Sequence, residues 1–137
     1  MPTKPRDDRR GQVGQRGEAA VLEYILDLGW HPVAQNVRWR EGEIDLIAVD
    51  DGTLVFAEVK TLVAGSSGEA PFSPFESITP RKRSRIRMLA RRWMNDDLMK
   101  VRETSDLWFT SIRFDAFAVV LSADQSIKNI EHAHDAF

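Results

Sequence analysis

An Asp-Gly step between two apolar runs constrains this chain more than any other feature. Asp51-Gly52 separates Glu43–Val49 from Leu54–Val63, and Asp-Gly flanked by alternating apolar residues marks a two-residue hairpin turn. With that turn in place, Asp50 faces Thr53, Asp45 faces Glu58 and Glu43 faces Lys60. Two carboxylates directly opposite each other repel, which a sheet tolerates poorly. A divalent cation between them removes the repulsion, and carboxylate oxygens suit Mg²⁺ or Mn²⁺. Lys60 lies two residues beyond Glu58 and so projects from the same face. A carboxylate pair that holds a cation, with an ammonium beside it, suits the hydrolysis of a phosphodiester.

The rest of the chain supplies the layers around this hairpin. A helix is expected from about Gly14 to Leu28, closed by Gly29. Val33 to Arg40 reads as a strand. Gly65, Ser66, Ser67, Gly68, Pro71, Ser73 and Pro74 make 64–77 a long loop, placed to cover a site just past Lys60. Thr79 is an N-cap with Pro80 behind it, opening a helix to about Asn95. Residues 96–106 read as irregular, 108–121 contain a strand, and Ile127 to Ala133 form a short edge strand. This order predicts an α/β sandwich with a central mixed sheet covered by helices. At 137 residues and 42% hydrophobic content, one domain over 13–137 with a flexible tail at 1–12 is expected.

Composition removes several functions. With no cysteine there is no disulfide, thiolate metal site or cysteine nucleophile. No apolar run is long enough to span a membrane, and Met1 to Arg10 carries no apolar leader core, so a cytoplasmic protein without a membrane partner is expected. Net charge is only −2, but Arg81, Lys82, Arg83, Arg85, Arg87, Arg91 and Arg92 form a run without one acidic residue. The remainder carries 12 basic against 21 acidic residues. A basic stripe on an acidic body is the footprint expected for a polyanion, or else a solvated helix face.

Each helix sets one charge among apolar neighbours. With Glu18 at zero on a helical wheel, Leu22, Ile25, Val21 and Leu26 fall within about 80° of it, so Glu18 is expected in the middle of the apolar arc, either reaching over the sheet toward the cation or standing at the rim as a helix-end carboxylate aided by the helix dipole. With Lys82 at zero on the second helix, Ile86, Leu89, Trp93 and Ala90 cluster within about 80°, so one basic residue of the seven points inward.

Asp45 followed a dozen residues later by Glu58-Val59-Lys60 resembles the PD-(D/E)xK signature of restriction-endonuclease-like nucleases. The wider pattern comprises Gly17-Glu18 with Ala20, Gly29, Asn36 with Arg38, Gly42 to Ile47, Phe56 to Thr61, Thr79 with Lys82, Arg113-Phe114-Asp115 and Ala136-Phe137. It resembles the YraN family, small bacterial proteins grouped with Holliday-junction-resolvase-like nucleases, over about residues 11–137. The resemblance implies a restriction-endonuclease-like three-layer sandwich in which Asp45, Glu58 and the Val59 carbonyl bind Mg²⁺ or Mn²⁺. Lys60 would orient or deprotonate water, with Glu18 and Lys82 completing the catalytic set. Ile44 stands where the nominal motif has proline, and Leu62 where relatives often carry arginine.

Other chemistry is less well supplied. His31, His132 and His134 form no recognisable metal set, Ser66-Ser67 lacks a His–Asp arrangement, and Gly14-x-x-Gly17 is no phosphate loop. The four tryptophans read as core, with Trp39 between Arg38 and Arg40 the best candidate for base stacking. The expectation is a metal-dependent nuclease acting on DNA, branched or structured DNA included. Arg38, Arg81, Arg83, Arg85 and Arg92 would hold the backbone, and a two-fold homodimer would match a four-way junction. The alternatives are a nucleic-acid-binding module of the same fold with little or no cleavage, acting with a partner, and an interaction protein whose basic helix meets an acidic partner.

Overall fold

Adjacent stretches of two strands, Ile44–Val49 and Leu54–Ala57, are buried at every position and need cover on both faces, and the structure supplies it. The computed structural model describes residues 5–65, 75, 78–99 and 107–137. Its elements are α1 (Pro5–Asp27), β1 (His31–Trp39), β2 (Gly42–Asp50), β3 (Thr53–Val63), α2 (Pro80–Asp96), β4 (Ser111–Leu121) and β5 (Ile127–Ala133). The five strands form one sheet in sequence order, antiparallel except for the parallel pair β3–β4. Parallel neighbours need a crossover, and α2 lies in that connection.

Alternation along the strands sorts the core into two layers. Leu46, Ala48, Val55, Ala57, Phe117, Val119 and Leu121 pack under Ala20, Val21 and Ile25 of α1. Ile44, Ile47, Val49, Leu54 and Phe56 pack under Leu89, Ala90 and Trp93 of α2. The result is the expected α/β fold, a three-layer sandwich around a mixed sheet. Among the described residues, no helix is long and apolar enough to cross a membrane.

The local signals act as expected at three boundaries. Asp51 and Gly52 both take positive φ, +41° and +82°, and Asp50 pairs with Thr53. Gly29 takes φ +86°, and the Trp30 and Gly29 N–H groups bond Ile25 and Leu26 carbonyls at 3.0 Å, a Schellman end to α1. Thr79 caps α2 by accepting the Lys82 N–H at 3.3 Å.

Other expectations are corrected. α1 begins at Pro5 rather than near Gly14, so most of the expected tail is helical. The buried arc of α1 is rotated from the expected one: Gly17, Ala20, Val21 and Ile25 are buried, Glu18 is half-buried at the edge of the arc, and Leu26 is exposed. The reason is close approach. A methyl group at Gly17 would overlap the side chain of Thr61 on β3, so the glycine lets the backbone of α1 settle directly on the sheet. Trp108 is 66% exposed, unlike core Trp30 and Trp93. Most of the expected loop 64–77 and the irregular 96–106 lie outside the described residues.

Replacing Gly17 with Ala should therefore destabilise the protein by about 1–3 kcal/mol in urea unfolding, the usual cost of overpacking. An unchanged midpoint would show that the approach of α1 to Thr61 is not tight.

Candidate functional site

The ladder between β2 and β3 stops short of the two carboxylates. Its pairs run from Asp50↔Thr53 to Leu46↔Ala57, and Asp45↔Glu58 and Glu43↔Lys60 are not among them. The Asp45 carboxylate instead turns between the strands, where its Oδ2 accepts the Val59 N–H at 2.8 Å. The other neighbour of β2 breaks at the same place. The β1–β2 ladder skips Asn36 and Asp45, and Asn36 adopts a left-handed φ of +50°. Alternation breaks there too: Ile44 and Ile47 both pack on the α2 side, although three residues apart on a regular strand they would face opposite ways. Glu43 is engaged by Arg38 at 3.0 Å rather than by Lys60.

This notch gathers charge. Asp45 is 6% exposed. Burial pushes its carboxyl up to about 8, aided by the negative charge of Glu58 and less by Glu43 and Glu18, against the Val59 N–H. Glu58 is also raised by burial, while the Lys60 ammonium, a hydrogen bond with Asp45 and the Lys82 ammonium pull it the other way. Lys82 is lowered by burial and by the facing Lys60 ammonium, with Glu58 opposing. Glu58 thus links Asp45 on one side to Lys60 and Lys82 on the other.

Glu18 approaches from the opposite layer. It lines a groove of about 880 Å³ with Val59, Lys60, Thr61 and the β4–β5 turn residues Ala123 and Gln125. Glu58 and Lys82 border a separate recess of about 180 Å³ with Gly42, Glu43, Arg85 and Ile86. The five expected residues therefore do not share one cleft. They flank the end of the β2–β3 ladder from both faces of the sheet, with Lys60 between the groove and the carboxylates.

The donor chemistry fits a hard divalent cation. Buried Asp45 and half-buried Glu58 offer carboxylate oxygens where two negative charges disfavour each other, and a cation there would relieve that. The Val59 N–H is spent on Asp45, which leaves the carbonyl as that residue's oxygen donor.

The basic residues divide. Arg81, Arg83 and Arg85 are exposed on α2, and Arg85 reaches the recess beside Glu58. Arg38 is bound to Glu43, and Arg92 to Glu41 at 3.0 Å and Asp96 at 3.9 Å. Trp39 is half-buried against the α2-side core.

A second cluster was not anticipated. Asp115, fully buried, binds Arg113 through both oxygens and meets His132, while Arg113 also bonds Asp50 at 2.9 Å. Burial pushes the Asp115 carboxyl up, but bonds from His132, Arg113 and the Asp135 N–H outweigh it and hold it at about 2. The Arg113-x-Asp115 and His132-x-His134 spacings were the available signals; their meeting depends on β4–β5 pairing.

A mixed sheet between two helices, with buried acids and a lysine where a hairpin ladder ends, defines a small α/β protein with a charged site at a strand end. The profile of the family described as "Uncharacterised protein family UPF0102" matches residues 17–119, and the chain belongs to that family, the one the sequence resembles under the name YraN. It is 36% identical over 130 residues to a UPF0102 protein of Acidothermus cellulolyticus, covering 93% of this chain and 95% of the relative. It is 37% identical over 125 residues to one from Rhodococcus opacus, with 91% and 95% covered. A relative from Prosthecochloris aestuarii is 34% identical over 129 residues, with 91% and 92% covered.

The raised Asp45 carboxyl has a thermodynamic signature. Between the unfolded value of 3.8 and the folded value of about 8, the native state holds a proton that the unfolded state has lost. This contribution to stability is fully present below pH 3.8 and is lost as pH rises through about 8. Metal-free wild type should lose up to about 1.4 kcal/mol per pH unit across that window relative to Asp45→Asn, measured by urea unfolding. Parallel stability profiles would contradict it.

Proposed function

We propose that this protein is a metal-dependent nuclease hydrolysing phosphodiester bonds of DNA, with branched or structured DNA as the substrate class. The observation that carries the reading is buried Asp45 beside half-buried Glu58 at the open end of a strand ladder, with two lysines against Glu58 and the exposed basic face of α2 alongside.

Asp45, Glu58 and the Val59 carbonyl would hold Mg²⁺ or Mn²⁺, which when bound supplies charge stabilisation for the phosphoryl oxygens and acidifies a water. Lys60 stands between Glu58 and the groove, where its ammonium can orient a nucleophilic water or neutralise charge on the scissile phosphate. Lys82 faces Lys60, where its ammonium can meet a substrate phosphate. Glu18, across the groove, is placed to hold a water on the α1 side. Arg81, Arg83 and Arg85 would grip the phosphate backbone, whereas Arg38 and Arg92 must first leave their carboxylate partners. A two-fold dimer would present two such sites to a junction.

One observation favours a second reading, a nucleic-acid-binding module with little cleavage. Lys60 and Lys82 both offset the charge of Glu58 without any cation. A single experiment separates the readings: incubation of four-way-junction and duplex DNA with purified protein, with and without Mg²⁺ or Mn²⁺, across wild type, Asp45→Asn and Glu58→Gln. The nuclease reading expects metal-dependent cleavage reduced at least about a hundredfold in either variant. Cleavage that persists in both variants contradicts it. Metal-independent binding whose salt slope falls by about one for each of Arg83→Gln and Arg85→Gln, with no cleavage in any protein, supports the binding module.

A further inference from the structure

The Asp115 cluster lies on the α1 face of the sheet, apart from the proposed cation-binding carboxylates. Its Oδ1 accepts Arg113 Nε at 2.8 Å and the Asp135 N–H at 2.9 Å. Its Oδ2 accepts Arg113 Nη2 at 2.9 Å and lies 2.8 Å from His132 Nε2. His134 Nδ1 stands 3.9 Å from the same oxygen. The bend that makes this possible is built into the chain end. Asp135 takes a left-handed φ of +51° with its N–H tied to Asp115, and the His134 ring folds over His132 with centroids 3.7 Å apart.

We propose that Asp115, His132 and His134 form a binding site for a transition-metal ion of the zinc class, which clasps the C-terminal turn to β4. One atom from each residue lies within 4.8 Å of the other two. Tetrahedral zinc with nitrogen and oxygen donors at 2.0–2.1 Å holds those donors about 3.3 Å apart, so closing the site takes side-chain adjustments rather than a refolded backbone. Two imidazoles select zinc, cobalt, nickel or copper over magnesium. The charge balance permits a cation, because Arg113 is shared by Asp115 and Asp50 and two carboxylates face one guanidinium.

The chemistry balances as a proton exchange. His132 binds as a neutral ring: its proton moves by way of solvent from Nε2 to Nδ1, the ion takes the freed Nε2 lone pair, and Asp115 Oδ2 keeps Arg113 Nη2 on its other lone pair. His132 Nδ1 is buried with no hydrogen-bond partner, so it can take that proton without giving up a bond. Packing fixes the His132 ring: its side chain is only 4% exposed, stacked on Phe117 with Tyr24 and Trp30 at its edges. The His134 side chain is 59% exposed, which gives the ion an entry path and leaves water the remaining positions.

The test uses Co²⁺ as the probe, titrated into the full chain and followed by its visible d–d absorption, with Zn²⁺ as competitor. The expected result is one ion per chain with tetrahedral or five-coordinate bands, displaced by Zn²⁺ and retained in the Asp45→Asn/Glu58→Gln double variant. Affinity should fall more than about tenfold in His134→Ala, whose exposed ring can be removed without disturbing the core. Circular dichroism of that variant confirms its fold. Absence of bands, bands indifferent to His134→Ala, or bands lost in the Asp45→Asn/Glu58→Gln double variant would each overturn the proposal.

Discussion

The bond from the Val59 N–H to Asp45 Oδ2 is the contact on which the site depends. A hairpin of this length would ordinarily continue its ladder through Asp45 and Glu58. By taking the Val59 N–H for itself, the aspartate ends the pairing and releases the second half of β3 from the β2 ladder. From Glu58 to Val63 the strand is then held on one side only, by its parallel ladder to β4. The other side opens, and Glu58, Lys60, Lys82 and Glu18 collect around that opening from both layers. The left-handed Asn36 and the broken alternation of β2 are the cost of turning one side chain out of the regular pleat.

Such an arrangement is unfavourable by itself. A carboxylate buried beside another carboxylate is destabilised in its charged form, and the sheet holds it because the surrounding layers leave no easier alternative. Phe56, Phe117 and Ile47 lie fully buried in the same central strands, and α1 is pressed onto β3 at Gly17. The apolar sandwich thus stabilises the fold while the strand end carries the strain, a division common where a site is made for binding rather than for stability. A divalent cation would convert this local deficit into affinity, which is why the proposed chemistry and the energetics point to the same two residues.

Much of this was legible from sequence because local rules and tertiary packing agree. Asp51-Gly52 fixes the register, Gly29 ends α1 and Thr79-Pro80 opens α2 as their side chains and backbone preferences require. The inward face of α2, Ile86, Leu89, Ala90 and Trp93, follows from helical period alone, with Lys82 half-buried one turn before it. The failures have physical causes. The break at Asp45 is invisible to a register count because a side chain displaces a ladder bond. The face of α1 departs from its apolar arc because small Gly17 and Ala20, not the larger apolar residues, set the closest approach to the sheet. Asp115, His132 and His134 meet through strand pairing and a left-handed Asp135, neither of which is written in a local motif.

The most direct test of the account is a carboxyl titration of Asp45 and Glu58 by NMR, on metal-free protein and at saturating Mg²⁺. If the two acids form a buried pair made to receive a cation, Asp45 titrates near 8 without metal and returns to the ordinary carboxylate range when Mg²⁺ is present. An Asp45 that titrates as a normal aspartate without metal, and is unmoved by adding it, would contradict the central claim.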